Sequence, residues 1–94
     1  MHAVVRRYKG GSRVIDEVIR RRSEVEQLIR GVPGFIAYYA VKTGDGGATI
    51  TICEDRAGTE ESVRVAADWV RQNVQGAISP PEVTEGEVGL HFAT

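Results

Sequence analysis

The residues best suited to bind or activate a small molecule occupy alternate positions in two predicted β-strands. In the segment 83–92, Glu87 and His91 are an even number of positions apart, so both face the same side of a sheet. A carboxylate beside an imidazole can orient it as a base that works near neutral pH. Thr51 and Cys53 share one face of "ATITICE" in the same way. We expect these four side chains to form one polar set, with His91 as the candidate base.

Simpler interpretations exist for two of these residues. Cys53 is the only cysteine, so the chain forms no internal disulfide and offers no cysteine cluster to a metal. Its small side chain suits a buried position better than the role of a nucleophile. His91 can equally be an ordinary polar side chain on a partly exposed strand. The residues predict no metal site and no cofactor.

The elements that would carry these residues follow from periodicity and turn signals. "HAVVRRY" is β-branched and precedes two glycines, and "TGDGG" is typical of a hairpin turn. Val14, Val18 and Val25 recur near helical spacing, and Pro33 prevents continuation of that helix. In chain order, the predicted elements are a strand at 2–8, a helix at 13–30, strands at 34–42 and 48–54, a helix from 58 to a capping glycine at 76, and a strand at 83–92.

The order β-α-β-β-α-β predicts the fold class. Right-handed crossovers place both helices on the same face of a four-stranded antiparallel sheet. We therefore expect an α+β fold, a ferredoxin-like sandwich, in which residues 1–94 form a single domain. The usual strand order for this topology, 4-1-3-2, sets the first strand beside the third and the fourth. We expect Ile50 and Ile52 to face the helices, which leaves Arg6 or Arg7 to join the polar set on the open side of the sheet. In full, that set is Thr49, Thr51, Cys53, Glu85, Glu87 and His91.

The strand at 34–42 is apolar on both of its faces. One parity contains Phe35, Ala37, Tyr39 and Val41; the other contains Ile36, Tyr38, Ala40 and Lys42. A sheet face of this kind usually marks an interface, so we expect a homodimer that stacks sheet on sheet. A small molecule would bind in a cavity between the sheet and the partner protomer, with Tyr38 as a candidate contact. The pattern alone leaves open which parity faces that cavity.

Composition narrows the range of partners. The net charge is −1, no apolar run is long enough to span a bilayer, and the chain begins with a predicted strand rather than a signal peptide. We expect no nucleic-acid partner, no membrane partner and a cytoplasmic location. RNA-recognition modules share this topology, but they stack bases on strand aromatics, and "ATITICE" contains none.

Two segments resemble the dimeric α/β-barrel superfamily, which includes antibiotic-biosynthesis-monooxygenase-like and stress-responsive barrel proteins. They are "GVPGFIAYYAV" after the first helix and "ICEDRAGTEES" before the second. The resemblance implies two ferredoxin-like protomers that pack their sheets into one barrel, with a cavity in each protomer. Members of the superfamily include cofactor-independent quinone-forming monooxygenases and haem-degrading enzymes.

The resemblance also implies roles for particular residues. The monooxygenases use a Trp on or near the second helix, with Asn, Tyr and Arg nearby, and Trp69 and Asn73 stand in such a helix. The candidates for catalysis are then His91, Trp69 and Arg7, and those for substrate binding are Tyr38, Thr51, Cys53 and Glu87. Two functions are open: binding of a small aromatic molecule without turnover, and cofactor-independent monooxygenase chemistry on an aromatic or quinol substrate.

Overall fold

The structure of the protein is a computed structural model that describes residues 1–76 and 78–94. Within those residues, the strands are β1 (His2–Lys9), β2 (Phe35–Thr43), β3 (Gly46–Cys53) and β4 (Glu82–Glu87). The helices are α1 (Arg13–Arg20), α2 (Arg22–Arg30) and α3 (Arg56–Asn73).

The strands form one antiparallel sheet in the order β2-β3-β1-β4. The helices cover one face of this sheet, the helix face, and leave the other, the open face, without a covering layer. The core lies between the helices and the sheet and contains Tyr8, Val14, Ile15, Val18, Val25, Ile29 and Trp69. The expected ferredoxin-like α+β fold and its strand order are confirmed.

The first predicted helix, 13–30, is broken at Arg21. Its backbone angles are φ −105° and ψ 40°, outside the α-helical range. The Arg21 side chain bonds to Glu17 and to Asn73 Oδ1 of α3, which holds the break in place. Apolar periodicity does not reveal such a break, because Val18 and Val25 on either side of it are both buried.

Helix α3 approaches β3 closely because its sheet-facing residues are small. The Asp55 side chain caps the helix by accepting a hydrogen bond from the backbone N–H of Gly58 at 3.4 Å. A Cβ at Gly58 would lie 2.2 Å from the carbonyl oxygen of Pro33 and 2.8 Å from Cβ of Cys53. The other buried residues on this part of α3 are also small: Thr59, Ser62 and Ala66.

This close packing reverses the side of β3 that we expected to face the helices. Thr49, Thr51 and Cys53 are buried on the helix face, while Ile50 and Ile52 alternate onto the open face. The expectation that Thr51 and Cys53 face the open side is therefore wrong. Small side chains fit beneath α3, whereas the isoleucines have room only on the opposite face.

Strand β4 is shorter than predicted, because β1 offers it no further partner. The backbone N–H of Val88 donates to the carbonyl oxygen of Met1 at 2.9 Å, and residues 89–94 beyond it are exposed and form no strand. His91 lies in that segment. The prediction of one strand carrying both Glu87 and His91 is therefore wrong.

The acidic residues of β4 also lie on a different side from the one expected. Glu85 is opposite Val4 and Glu87 is opposite His2 in the antiparallel register with β1. Directly opposed residues share a face, and Val4 is fully buried against the helices. Glu85 accordingly reaches α3, where its carboxylate lies 3.4 Å from Thr59 Oγ1.

The open face is apolar across three strands. A bulge between Phe35 and Ala37 in β2 places Phe35 on the helix face together with Tyr38. Tyr39 points the other way and is 55% exposed. The open face consists mainly of Ala3, Val5, Ala37, Tyr39, Val41, Ala48, Ile50 and Ile52.

Candidate functional site

A buried arginine lies at the centre of the helix face. Arg6, in β1, is 2% exposed. Its Nε donates to Thr49 Oγ1 at 3.0 Å across the β1–β3 pair, and its Nη1 donates to the backbone carbonyl of Ser62 in α3 at 3.2 Å. The side chain therefore joins the sheet to the helix above it.

Two tyrosines flank this guanidinium. Burial raises the pKa of Tyr8 and of Tyr38, and the nearby positive charge of Arg6 opposes part of that rise in both. Both phenols are thus neutral over the physiological pH range and can donate or accept a hydrogen bond. We refer to Arg6, Tyr8, Tyr38, Thr49 and Ser62 as the arginine cluster.

Arg6 adjoins two spaces of different size. An internal cavity of about 20 Å³ lies among Arg6, Tyr38, Trp69 and core side chains, which is room for about one water molecule. A groove of about 370 Å³ opens to the surface, with Arg6 and Tyr8 at its inner end. Pockets of a few hundred Å³ are typical of small-molecule sites, so the larger space suits a ligand.

The groove, which we call the α3 groove, has largely apolar walls. One wall is α3, where a second row of apolar residues lies beside the row that contacts the sheet: Val63, Ala67, Val70 and Val74. The other wall is the connection that leads into β4, with Ile78, Pro80 and Pro81. Arg71 lies at its rim and forms an ion pair with Asp68. The site combines an apolar surface with a polar, positively charged end.

Trp69 and Asn73 are engaged by the protein itself. Trp69 is 7% exposed, and its indole Nε1 donates to Glu24 Oε1 of α2 at 2.8 Å. Asn73 Nδ2 donates to the Trp69 carbonyl at 2.9 Å, and its Oδ1 accepts from Arg21. Trp69 therefore ties α3 to α2, Asn73 ties α3 to the break at Arg21, and neither side chain lines the α3 groove.

The other predicted site residues on the helix face are buried. Tyr38 belongs to the arginine cluster, and Thr51 is directly opposite it in the β2–β3 register. The Thr51 hydroxyl is buried without a hydrogen-bond partner among the described residues. Burial raises the pKa of the Cys53 thiol, and the nearby Asp55 carboxylate adds to that rise, so the reactive thiolate is disfavoured.

The remaining predicted site residues lie elsewhere. Arg7 alternates with Arg6 and is exposed on the open face. Glu87 ends β4, and His91 lies in the exposed segment after it. The structure therefore does not bring His91, Trp69 and Arg7 together in one site.

Four residues of the arginine cluster were not among the predicted site residues. Arg6 was only an alternative to Arg7, Thr49 was expected on the open face beside Thr51, and Tyr8 and Ser62 were not predicted to belong to a site. The one signal in the sequence is the parity of β1, where Tyr8, on the face of Arg6, is larger than Ala3 and Val5 on the other face. Nothing in the sequence indicates that the Ser62 carbonyl accepts a hydrogen bond from Arg6.

Two further observations concern metals and membranes. Residues 1–76 and 78–94 contain no cluster of three or more His, Cys, Asp or Glu side chains arranged to hold a metal ion. In the same residues, no helix has the length and apolar character needed to cross a bilayer.

Comparison with known proteins finds similarity in structure rather than in sequence. No family model matches the chain, and no curated protein sequence matches it. A protein of unknown function from Nitrosomonas europaea, NE2512, is similar in its crystal structure, with a TM-score of 0.71, 17% identity, and coverage of 99% of this chain and 93% of that one.

Two proteins solved with ligands are also similar. A MhuD mutant with two manganese protoporphyrin IX molecules per active site has a TM-score of 0.72 at 13% identity, covering 100% of both chains. The ActVA-Orf6 monooxygenase of Streptomyces coelicolor, in complex with nanaomycin D, has a TM-score of 0.57 at 19% identity, covering 99% of this chain and 91% of that one. The chain thus has the fold of the antibiotic-biosynthesis-monooxygenase-like proteins, as the resemblance predicted.

Proposed function

We propose that this protein is a homodimer that binds a small aromatic molecule in the α3 groove. The observation that carries the proposal is the groove itself: about 370 Å³ of largely apolar space that ends on the buried Arg6. Flat apolar walls suit an aromatic ring, and a polar group at one end can orient it. Solved proteins with this fold were crystallised with manganese protoporphyrin IX and with nanaomycin D, which are conjugated ring compounds.

This location differs from the cavity that we expected between the sheet and a partner protomer. The polar side chains expected to line that cavity, Thr51 and Cys53, lie beneath α3 instead. The open face retains only apolar residues at its centre, such as Ile50 and Ile52. An apolar, nearly continuous surface is better suited to another protein surface than to a polar ligand.

A second copy of the chain is the partner that we propose for the open face. An apolar sheet face is complementary to itself, and a two-fold axis brings the same residues of both protomers together. The segment after β4 supports the same assignment, because Leu90 is 79% and Phe92 is 83% exposed. Two large apolar side chains this exposed are a surface that a partner protomer can cover.

Cofactor-independent monooxygenase chemistry is the alternative function. It is supported by the fold shared with the ActVA-Orf6 monooxygenase and by the presence of Trp69 and Asn73 on one helix. Because both side chains are bonded within the protein, we favour binding without turnover. Oxygen uptake measured with quinol and phenol substrates distinguishes catalysis from binding alone. Oxygen consumption would establish monooxygenase activity. Tight binding without oxygen consumption would exclude that activity for the compounds tested.

A groove-filling substitution tests the binding site. Ala67 lies in the groove wall and Ala57 lies on the same helix outside it, and both are exposed. We expect Ala67→Phe to abolish binding of naphthalene-type probes (2-naphthol, 2-naphthoate and 2-naphthalenemethanol) measured by titration calorimetry. Ala57→Phe is the matched control and should bind as the wild type does. Failure of the wild-type protein to bind any of these probes would contradict the proposed function.

A further inference from the structure

The α3 groove contains a feature that an aromatic ligand alone leaves unexplained, which is a buried charge. Arg6 is 2% exposed, and a guanidinium remains protonated at all pH values at which proteins stay folded. The Thr49 hydroxyl and the Ser62 carbonyl, which accept hydrogen bonds from it, are uncharged. Burying a charge without an opposite charge carries a substantial desolvation penalty, so the position calls for a counterion.

No carboxylate of the described residues supplies that counterion. The ion pairs formed within residues 1–76 and 78–94 all involve surface side chains, and none includes Arg6. The phenols beside Arg6, Tyr8 and Tyr38, are neutral at physiological pH because burial holds their pKa above the ordinary value. The cluster is therefore cationic as a whole.

The groove that leads to this charge is also free of described acidic side chains. Its only other charged lining residue is Arg71, at the rim, and the remaining lining is apolar or uncharged. A ligand whose ring contacts Val70 and Val74 can therefore present an anionic group to Arg6 at the inner end without meeting a like charge.

We propose that the ligand of the α3 groove is an aromatic monoanion whose carboxylate or phenolate oxygen hydrogen-bonds to Arg6. This inference rests on the proposed function and specifies its ligand class. A guanidinium has five N–H groups; Thr49 and Ser62 accept two of them, and Arg6 also hydrogen-bonds with the neutral hydroxyls of Tyr8 and Tyr38. Its planar shape suits a carboxylate, and the hydroxyl of Tyr8, which also lines the groove, can rotate to donate to the same anion.

Two probes of the same shape test the charge. 2-Naphthoate carries a carboxylate where 2-naphthalenemethanol carries a neutral hydroxyl. We expect titration calorimetry at pH 7 to give at least about tenfold tighter binding for the anion, which is the effect of one charge-assisted hydrogen bond. Titration with 4-nitrophenol at pH values above and below the pKa of the probe tests whether the anionic group can be a phenolate. Binding of the ionised probe alone would show that Arg6 accepts a phenolate oxygen.

Substitution of the arginine assigns the preference to Arg6. We expect Arg6→Gln to remove the preference for 2-naphthoate and Arg6→Lys to retain part of it, since Lys keeps the charge but not the planar donor set. Arg22→Gln, at an exposed site on α2 outside the groove, is the matched control and should leave the preference unchanged. If Arg6→Gln does not fold, the affinities of the wild-type protein for 2-naphthoate and 2-naphthalenemethanol still determine whether the site prefers an anion.

The failures of the two proposals are distinguishable. Equal affinity of the wild-type protein for 2-naphthoate and 2-naphthalenemethanol would overturn the anion assignment and leave the groove as an aromatic site. Anion preference that survives in a folded Arg6→Gln protein would also overturn it. Absence of binding by every probe would contradict the site itself.

Discussion

At the scale of single residues, Arg6 determines the chemistry of the groups around it. Its guanidinium stands between two strands and a helix, bonded to Thr49 and to the Ser62 carbonyl. Burial disfavours the ionised form of Tyr8 and Tyr38, while the positive charge of Arg6 favours it; burial is the larger effect in both. The phenols are therefore held as neutral hydrogen-bonding groups beside a permanent cation.

These pKa shifts predict how the protein responds to alkaline pH. The folded state holds the protons of Tyr8 and Tyr38 more tightly than the unfolded chain does. Their contribution to stability is complete below pH about 10, the ordinary tyrosine value, and falls as pH rises through the higher folded-state values. We expect near-ultraviolet absorbance to show late ionisation that Tyr8→Phe and Tyr38→Phe each reduce. Ionisation of all three tyrosines at the ordinary value in the folded protein would contradict this expectation.

Residue-scale expectations from the sequence failed where two patterns were equivalent. Tyr38 as a ligand contact stays a prediction; the structure places it in the arginine cluster, outside the α3 groove. The choice between Arg6 and Arg7 could not be made, because β1 has apolar residues on both faces. The side of the sheet on which Thr51 and Cys53 lie was predicted wrongly because α3 lies so close to β3 that only small side chains fit between them. The alternation of residues in a strand does not indicate this distance.

At the scale of elements, the close contact between α3 and β3 limits the size of the side chains that either element can have at that contact. Gly58 is the point of closest approach, where a Cβ would lie 2.2 Å from the Pro33 carbonyl oxygen. We expect Gly58→Ala to lower the free energy of unfolding by about 1–3 kcal/mol, the usual effect of overpacking a filled interior. Urea unfolding monitored by the fluorescence of Trp69, the only tryptophan, measures it.

A second glycine provides the control for this substitution. Gly44 lies in the β2–β3 turn, where a Cβ would have no heavy atom within 4 Å and the backbone does not adopt a positive φ. Gly44→Ala should therefore change stability far less than Gly58→Ala. Equal effects of the two substitutions would show that backbone entropy rather than close packing dominates.

Most elements could be predicted because their signals are local. Strands β1, β2 and β3 begin and end within about two residues of the predicted bounds, since glycine turns and Pro33 interrupt the chain there. The break at Arg21 depends on contacts to Asn73 in another helix. The early end of β4 depends on where β1 begins, so neither feature follows from the local sequence.

At the scale of the whole molecule, the apolar open face is the surface at which we propose that two copies of the chain pack. We expect light scattering on a sizing column to give about twice the chain mass of 10.3 kDa. Ile50→Arg, at the centre of the open face, should shift the protein to a monomer, because an arginine would be buried between two apolar sheets. A wild-type protein that elutes as a monomer at all concentrations would contradict the dimer.

A second exposed isoleucine provides the control for Ile50→Arg. Ile19 on α1 is 54% exposed and belongs to the helix layer rather than to the open face. Ile19→Arg should leave the mass at that of the wild type. Tyr39→Arg, on the edge strand β2, provides a second open-face variant should Ile50→Arg prove unstable, as judged by circular dichroism.

The two walls of the α3 groove differ in how firmly they are anchored. Helix α3 is fixed to the core, whereas the opposite wall leads into β4, a strand whose residues are all exposed and which pairs only with β1. Segments with little buried surface detach at a lower free energy than the core does. Release of this one edge strand would widen the groove while β2, β3 and β1 stay paired. For the ligand that we propose, we therefore expect the exchange rate to depend on local opening at one edge of the sheet and to vary independently of the global stability of the protein.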